Sequence, residues 1–155
     1  MAEVGSKAPD FTLFDTNRAP HSLSEFEGAK TVVAFFPAAF TGVCEKELCA
    51  FRDSMADLNT LDAKVVAISA DAPFANGAFA AKNGLEFPVL SDYNREAIRA
   101  YDVAHEDFAG LAGYTAAKRS VFILDKDNVI RYKWVAENPG IEPNYDELKK
   151  ELGKI

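Results

Sequence analysis

Pro37, Thr41, Cys44 and Glu47 combine residue types and spacing that can do chemistry. An apolar run over 31–36 is stopped by Pro37, and Cys44 follows Thr41 by three residues at the start of a helical pattern. A thiol in the first helical turn faces backbone N–H groups without intrahelical acceptors and the positive end of the helix dipole. Both favour the thiolate, which is the nucleophile. Thr41 suits the helix N-cap, its hydroxyl bonded to the Cys44 amide. In an alternate state the same hydroxyl faces the sulfur or a substrate oxygen. Pro37 ends the strand, and its ring is also placed to shield a thiolate from water. Glu47 on a bare helix would be a solvated charge. A carboxylate so near the thiol opposes its ionisation, so catalysis at Cys44 needs a cation from elsewhere in the chain.

Cys49 follows Cys44 by five residues. On a regular helix that spacing rises about 7.5 Å and turns about 140°, which puts the α-carbons roughly 8–9 Å apart. A disulfide tolerates about 7 Å, so bonding the pair requires local unwinding. Cys49 is otherwise a small buried hydrophobe. The Cys-x4-Cys spacing, with His21 and His105 remote from it, does not make a zinc site, and no metal or cofactor is expected. The stretch 125–128 mimics the start of a calcium loop but lacks its glycine and its glutamate at position twelve, so it reads as a hairpin turn.

The elements that must position these residues follow from periodicity. Residues 11–14 alternate as a short strand, 22–26 form a helical turn or strand, and 30–36 form a strand buried on both faces. Helical spacing runs from 41 to about 61. A second buried strand covers 64–69, and a helix over 73–83 stops at Gly84. The strand over 87–91 is demoted towards a sheet edge by Pro88. A helix spans 94–101, a loop 104–118, a hairpin joins 120–124 to 129–134, and a closing helix spans 143–152 with Pro143 in its first turn. This order predicts a three-layer α/β fold with a central mixed sheet, its early strands parallel, as one domain over 1–155. Cys44 then lies at the carboxyl end of a buried strand, where open α/β sheets bind ligands.

Composition narrows the function classes. A net charge of −7 without a basic stretch argues against a nucleic-acid partner. No apolar run reaches the roughly 20 residues of a membrane span. The N-terminal residues lack a secretory h-region, and two cysteines in 155 residues are not a disulfide scaffold. The cytoplasm is the expected compartment.

The Pro-x3-Thr-x2-Cys-x2-Glu pattern of Pro37, Thr41, Cys44 and Glu47 resembles the active-site motif of the peroxiredoxins, thiol peroxidases with a thioredoxin-like fold. The resemblance extends over nearly the whole chain: the 5–14 opening, the strand before Pro37, and an Arg-x-x-Phe-x-x-Asp pattern at Arg119, Phe122 and Asp125. It implies that Arg119 reaches back to Cys44 and supplies the cation, since a guanidinium stays charged at any working pH. It implies a peroxidase without cofactor, in which the Cys44 thiolate attacks a peroxide oxygen and becomes a sulfenic acid. Thr41, the Val43 and Cys44 amides and Arg119 would hold the two oxygens.

Two subgroups divide the resemblance. The peroxiredoxin Q type carries a resolving cysteine at the Cys49 spacing and is recycled by a thioredoxin-like reductant. Residues 36–44, 132–134 and 139–145 look more like the alkyl hydroperoxide reductase E type, typically a one-cysteine enzyme recycled by an external small thiol. The expectation is that Cys49 resolves the sulfenic acid as an intramolecular disulfide, with the one-cysteine route as the alternative. A thiol–disulfide oxidoreductase and a redox-sensing interaction protein are the competing classes. The expected partners are a peroxide, a thiol reductant and, as in some relatives, a second copy in a homodimer.

Overall fold

Val33 and Phe35 pack on one side of a sheet, and Val32, Ala34 and Phe36 on the other. Both sets are fully buried, which is why this segment reads as continuously apolar instead of alternating. The computed structural model describes residues 2–155, and residue 1 of the expected 1–155 domain lies outside them. The strands are β1 (Thr12–Phe14), β2 (Pro20–Ser22), β3 (Lys30–Phe35), β4 (Ala63–Ser69), β5 (Val89–Ser91), β6 (Ala104–His105), β7 (Ala116–Ala117), β8 (Ser120–Leu124) and β9 (Ile130–Val135). The α-helices are α1 (Gly42–Asp53), α2 (Met55–Thr60), α3 (Pro73–Asn83), α4 (Glu96–Ala100) and α5 (Tyr145–Gly153).

Seven strands form one mixed sheet in the order β2-β1-β5-β4-β3-β8-β9. Its β3–β4 and β4–β5 pairs are parallel, and the remaining pairs are antiparallel. Apolar residues of α1, α2, α3 and α5 cover one face, with Leu48, Phe51, Leu58, Phe79, Leu148 and Leu152 in a single cluster with Val32 and Phe36. Ala97 and Ile98 of α4, with Phe11, Phe26 and Tyr101, cover the other face. This is the three-layer α/β arrangement with a central mixed sheet that the sequence predicts.

Four local expectations are corrected. The single helix over 41–61 breaks at Ser54, whose backbone (φ −92°, ψ 0°) closes α1 and opens α2. The strand containing Val89 is interior, between β1 and β4; Pro88 precedes it, so the missing N–H costs no ladder bond and its carbonyl accepts from Ala67. The 104–118 loop carries a two-stranded ribbon of β6 and β7. Pro143 stands outside α5, because Asn144 is the N-cap and its side chain accepts from the Glu147 amide. By contrast, Gly84 ends α3 in the left-handed region (φ 60°) as expected.

The outer β1–β2 hairpin is tied by His21, whose Nε2 meets Asp15 Oδ2 at 2.7 Å and whose Nδ1 meets Glu25 Oε2 at 2.9 Å. The hydrogen bond to Asp15, with Glu25 adding to it, holds the imidazole above its usual range. A raised folded-state value favours the native state fully below the ordinary histidine range, and that support fades as pH rises through the raised value. His21→Gln should therefore lower stability at mildly acidic pH and much less at pH 9, read by urea unfolding at both.

Candidate active site

The register between β3 and β8 pairs Phe35 with Ser120, so Arg119, the residue before β8, arrives where β3 ends. The Phe36 amide bonds Ile68 and extends the β4 pairing by one residue before Pro37, which is buried and has no N–H to offer. Asp71, just past the carboxyl end of β4, accepts the Ala39 amide through Oδ2 at 2.8 Å. The turn is completed by Phe40 in the left-handed region (φ 65°), a conformation that costs a bulky residue about 1–3 kcal/mol. An edge-on contact with the Phe79 ring at 5.4 Å and the Lys82 ammonium 5.7 Å over the Phe40 ring hold it there. Thr41 then takes the N-cap position of α1 without a side-chain cap bond, and Cys44 becomes the third helical residue, fully buried.

Arg119 is 2% exposed and all its nitrogens are committed. Nη2 donates to Cys44 Sγ at 3.2 Å, and Nη1 to Glu47 Oε1 at 3.0 Å. Nε and Nη2 both donate to the Pro139 carbonyl, at 3.1 and 2.9 Å. One guanidinium thus bridges the sulfur and a carboxylate one helical turn away on the same face of α1. Glu47 is fully buried, and its second oxygen has no hydrogen-bond partner among the described residues. Burial lifts its carboxyl to about 7, against the pull of Arg119 and with a small push from Glu142. The N–H groups of Val43 and Cys44 lie in the first turn, where helical geometry offers no acceptor four residues back. Together these groups set a sulfur beside donors able to hold an oxygen that gains negative charge.

Cys49 lies on the same unbroken helix as Cys44, and both thiols are free. Its half-buried sulfur donates to Asn83 Oδ1 on α3 at 3.4 Å, on a different flank from the Arg119 contact.

Residues 4–133 match the model of the AhpC/TSA family. The chain belongs to that family. Among curated relatives, it is 38% identical over 135 residues to alkyl hydroperoxide reductase E of Mycobacterium tuberculosis, covering 85% of this chain and 84% of the relative. It is 40% identical over 127 residues to the chloroplastic peroxiredoxin Q of Sedum lineare, covering 82% of this chain and 66% of the relative. The crystal structure of peroxidoxin BcpB from Mycobacterium tuberculosis superposes with a TM-score of 0.88 at 28% identity, covering 100% of this chain and 99% of that one. The chain is a peroxiredoxin: a cysteine-based, thiol-dependent peroxidase that takes a peroxide and a thiol reductant.

In this peroxiredoxin the residues singled out from the sequence separate into two groups. Cys44, Glu47 and Arg119 converge in direct contact, and Pro37 ends the strand that leads to them. Glu47 is not the solvated charge of a bare helix. Thr41 departs from expectation: it is exposed, and its hydroxyl donates to the Ala38 carbonyl at 2.8 Å instead of capping the Cys44 amide. The left-handed Phe40 folds the turn so that this carbonyl lies nearest. Cys49 stands apart from the Cys44 contact.

Two contributors escaped the sequence. Pro139, noted in the sequence only within the 139–145 stretch of the resemblance, acts through its backbone carbonyl, which leaves no side-chain signature. Asp71 could have been found, because it sits just beyond the carboxyl end of the strand parallel to β3.

Proposed function

We propose that this peroxiredoxin reduces hydrogen peroxide and organic hydroperoxides with Cys44 as the attacking thiolate. The observation that carries the reading is the Arg119 Nη2 contact to the buried Cys44 sulfur at 3.2 Å. The thiolate forms a bond to one peroxide oxygen and the O–O bond breaks. Cys44 becomes a sulfenic acid, and the departing oxygen takes up a proton to leave as water or alcohol. Arg119, with the Val43 and Cys44 amides, stabilises the charge that grows on the leaving oxygen. Pro37 excludes water from the sulfur, Glu47 fixes the guanidinium plane, and the exposed Thr41 hydroxyl turns from Ala38 to a peroxide oxygen when substrate enters.

Cys49 then attacks the sulfenic acid to give an intramolecular disulfide and water, and a thioredoxin-like protein reduces that disulfide. Two free thiols suit a reducing compartment, so the cytoplasm is the proposed location. A homodimer is the proposed assembly, with exposed Phe74, Tyr93 and Leu111 offering apolar area for a second copy. The 1–155 chain is taken to act as one domain.

Stoichiometric peroxide followed by intact mass and thiol labelling tests this directly. The expected product loses two hydrogens and labels at neither cysteine. Cys49→Ser should stop at a sulfenic acid that over-oxidises with excess peroxide, while its first step keeps the wild-type rate. A second reading, the one-cysteine enzyme recycled by an external small thiol, draws on the Cys49 contact to Asn83, which faces the thiol away from Cys44. Oxidised protein with Cys44 over-oxidised and Cys49 still labelling would select it.

A further inference from the structure

The resolving step needs α1 to unwind between Cys44 and Cys49, so whatever grips that stretch sets how readily it opens. The last turn of α3 grips that stretch at two points and the next turn of α1 at a third. Lys82 Nζ bonds Glu45 Oε1 at 3.1 Å, Asn83 Oδ1 accepts the Cys49 thiol at 3.4 Å, and the Asn83 carbonyl accepts Arg52 Nη1 at 2.6 Å. The lysine pair is solvent-exposed and weak. Asn83 is half-buried and engages α1 through both side chain and backbone.

The orientation of the Asn83 amide is determined by its neighbours. Its Nδ2 donates to the Phe79 carbonyl at 3.0 Å, which turns Oδ1 towards Cys49. An amide oxygen can only accept, so the Cys49 sulfur must keep its proton to make the bond. The contact therefore ties the thiol to α3 and helps to hold the helix wound.

We infer that the C-terminal turn of α3 is a latch on α1, and that Asn83 is the positioning residue that limits how fast Cys49 reaches the Cys44 sulfenic acid. The inference rests on the reading of Cys49 as the resolving thiol. The gated step balances without a further reactant: the S–S bond forms as the Cys44 S–OH bond breaks, and the Cys49 proton leaves with hydroxide as water. Peroxide is the oxidant, and Asn83 takes no part in its reduction.

Single-turnover stopped flow with hydrogen peroxide, with acid-quenched intact mass, separates the two steps. Asn83→Ala should form the disulfide about 3- to 10-fold faster, the kinetic equivalent of one net hydrogen bond, with the peroxide step unchanged. Asn83→Asp gives up the Nδ2 bond to the Phe79 carbonyl but offers the Cys49 thiol a charged and stronger acceptor, so its disulfide should form more slowly than wild type. Acceleration in both variants, or slowing of both chemical steps together, marks a merely structural position and overturns the assignment. An unchanged disulfide rate in Asn83→Ala, with the wild-type disulfide forming normally, sinks the latch alone. Absence of any intramolecular disulfide in the wild type sinks the resolving role and the latch with it.

Discussion

Arg119→Met should slow the second-order reaction with hydrogen peroxide by about 100- to 1,000-fold, the usual cost of removing a preorganised charged donor. Methionine fills similar volume without charge, so the loss reports the contact to the sulfur more than a cavity. The same substitution strips the fully buried Glu47 carboxylate of the one hydrogen-bonding partner it has among the described residues. Breaking one side of a buried pair typically costs about 3–5 kcal/mol. Here the cost should be largest above pH 7, where the stranded carboxylate must either ionise or hold its proton against solvent. Arg119→Met with Glu47→Gln separates the two effects. The double variant should recover much of the stability in urea unfolding and none of the peroxide rate. A recovered rate would mean that Arg119 serves only to neutralise Glu47.

Glu47→Gln should change the pH dependence of stability more than its value at acidic pH. Burial lifts the Glu47 carboxyl from an ordinary 4.5 to about 7. Between those values the native state keeps a proton that the unfolded chain has lost, so stability falls as pH rises. The contribution is complete below about 4.5 and gone above about 7, and the shift is worth on the order of 3 kcal/mol. Relative to Glu47→Gln, the wild type should lose about that much stability between pH 4.5 and 7.5. His21 moves stability in the same direction but is common to both proteins, so the difference isolates Glu47. Parallel pH curves would show that Glu47 stays ionised in the fold.

The longer strands were largely readable because their apolar runs must be buried whichever neighbour covers them. Residues 30–36, 64–69 and the hairpin around Asp125 all appear at their expected places. The misplacements share one cause, since short or interrupted elements depend on what packs beside them. Pro88 reads as an edge signal only if it lies inside the ladder, and it stands one residue before it. Ser54 carries no strong break signal, yet α1 closes and α2 opens there. Thr41 has the right type and position for a side-chain cap, but the turn at Phe40 redirects its hydroxyl.

The sequence alone determined that a thiol stands in the first turn of a helix after a buried strand, because that depends on local apolar pattern, one proline and a spacing of a few residues. It also determined that Cys44 and Cys49 cannot bond without unwinding, which is a property of helical rise. Only the tertiary structure decided that Arg119, 75 residues further on, donates to that sulfur and to Glu47 together. It alone decided that the Pro139 carbonyl locks the guanidinium and that Asn83 holds Cys49. Such contacts arise from strand register and from which helices share a sheet face, and neither is encoded in the residues at the site.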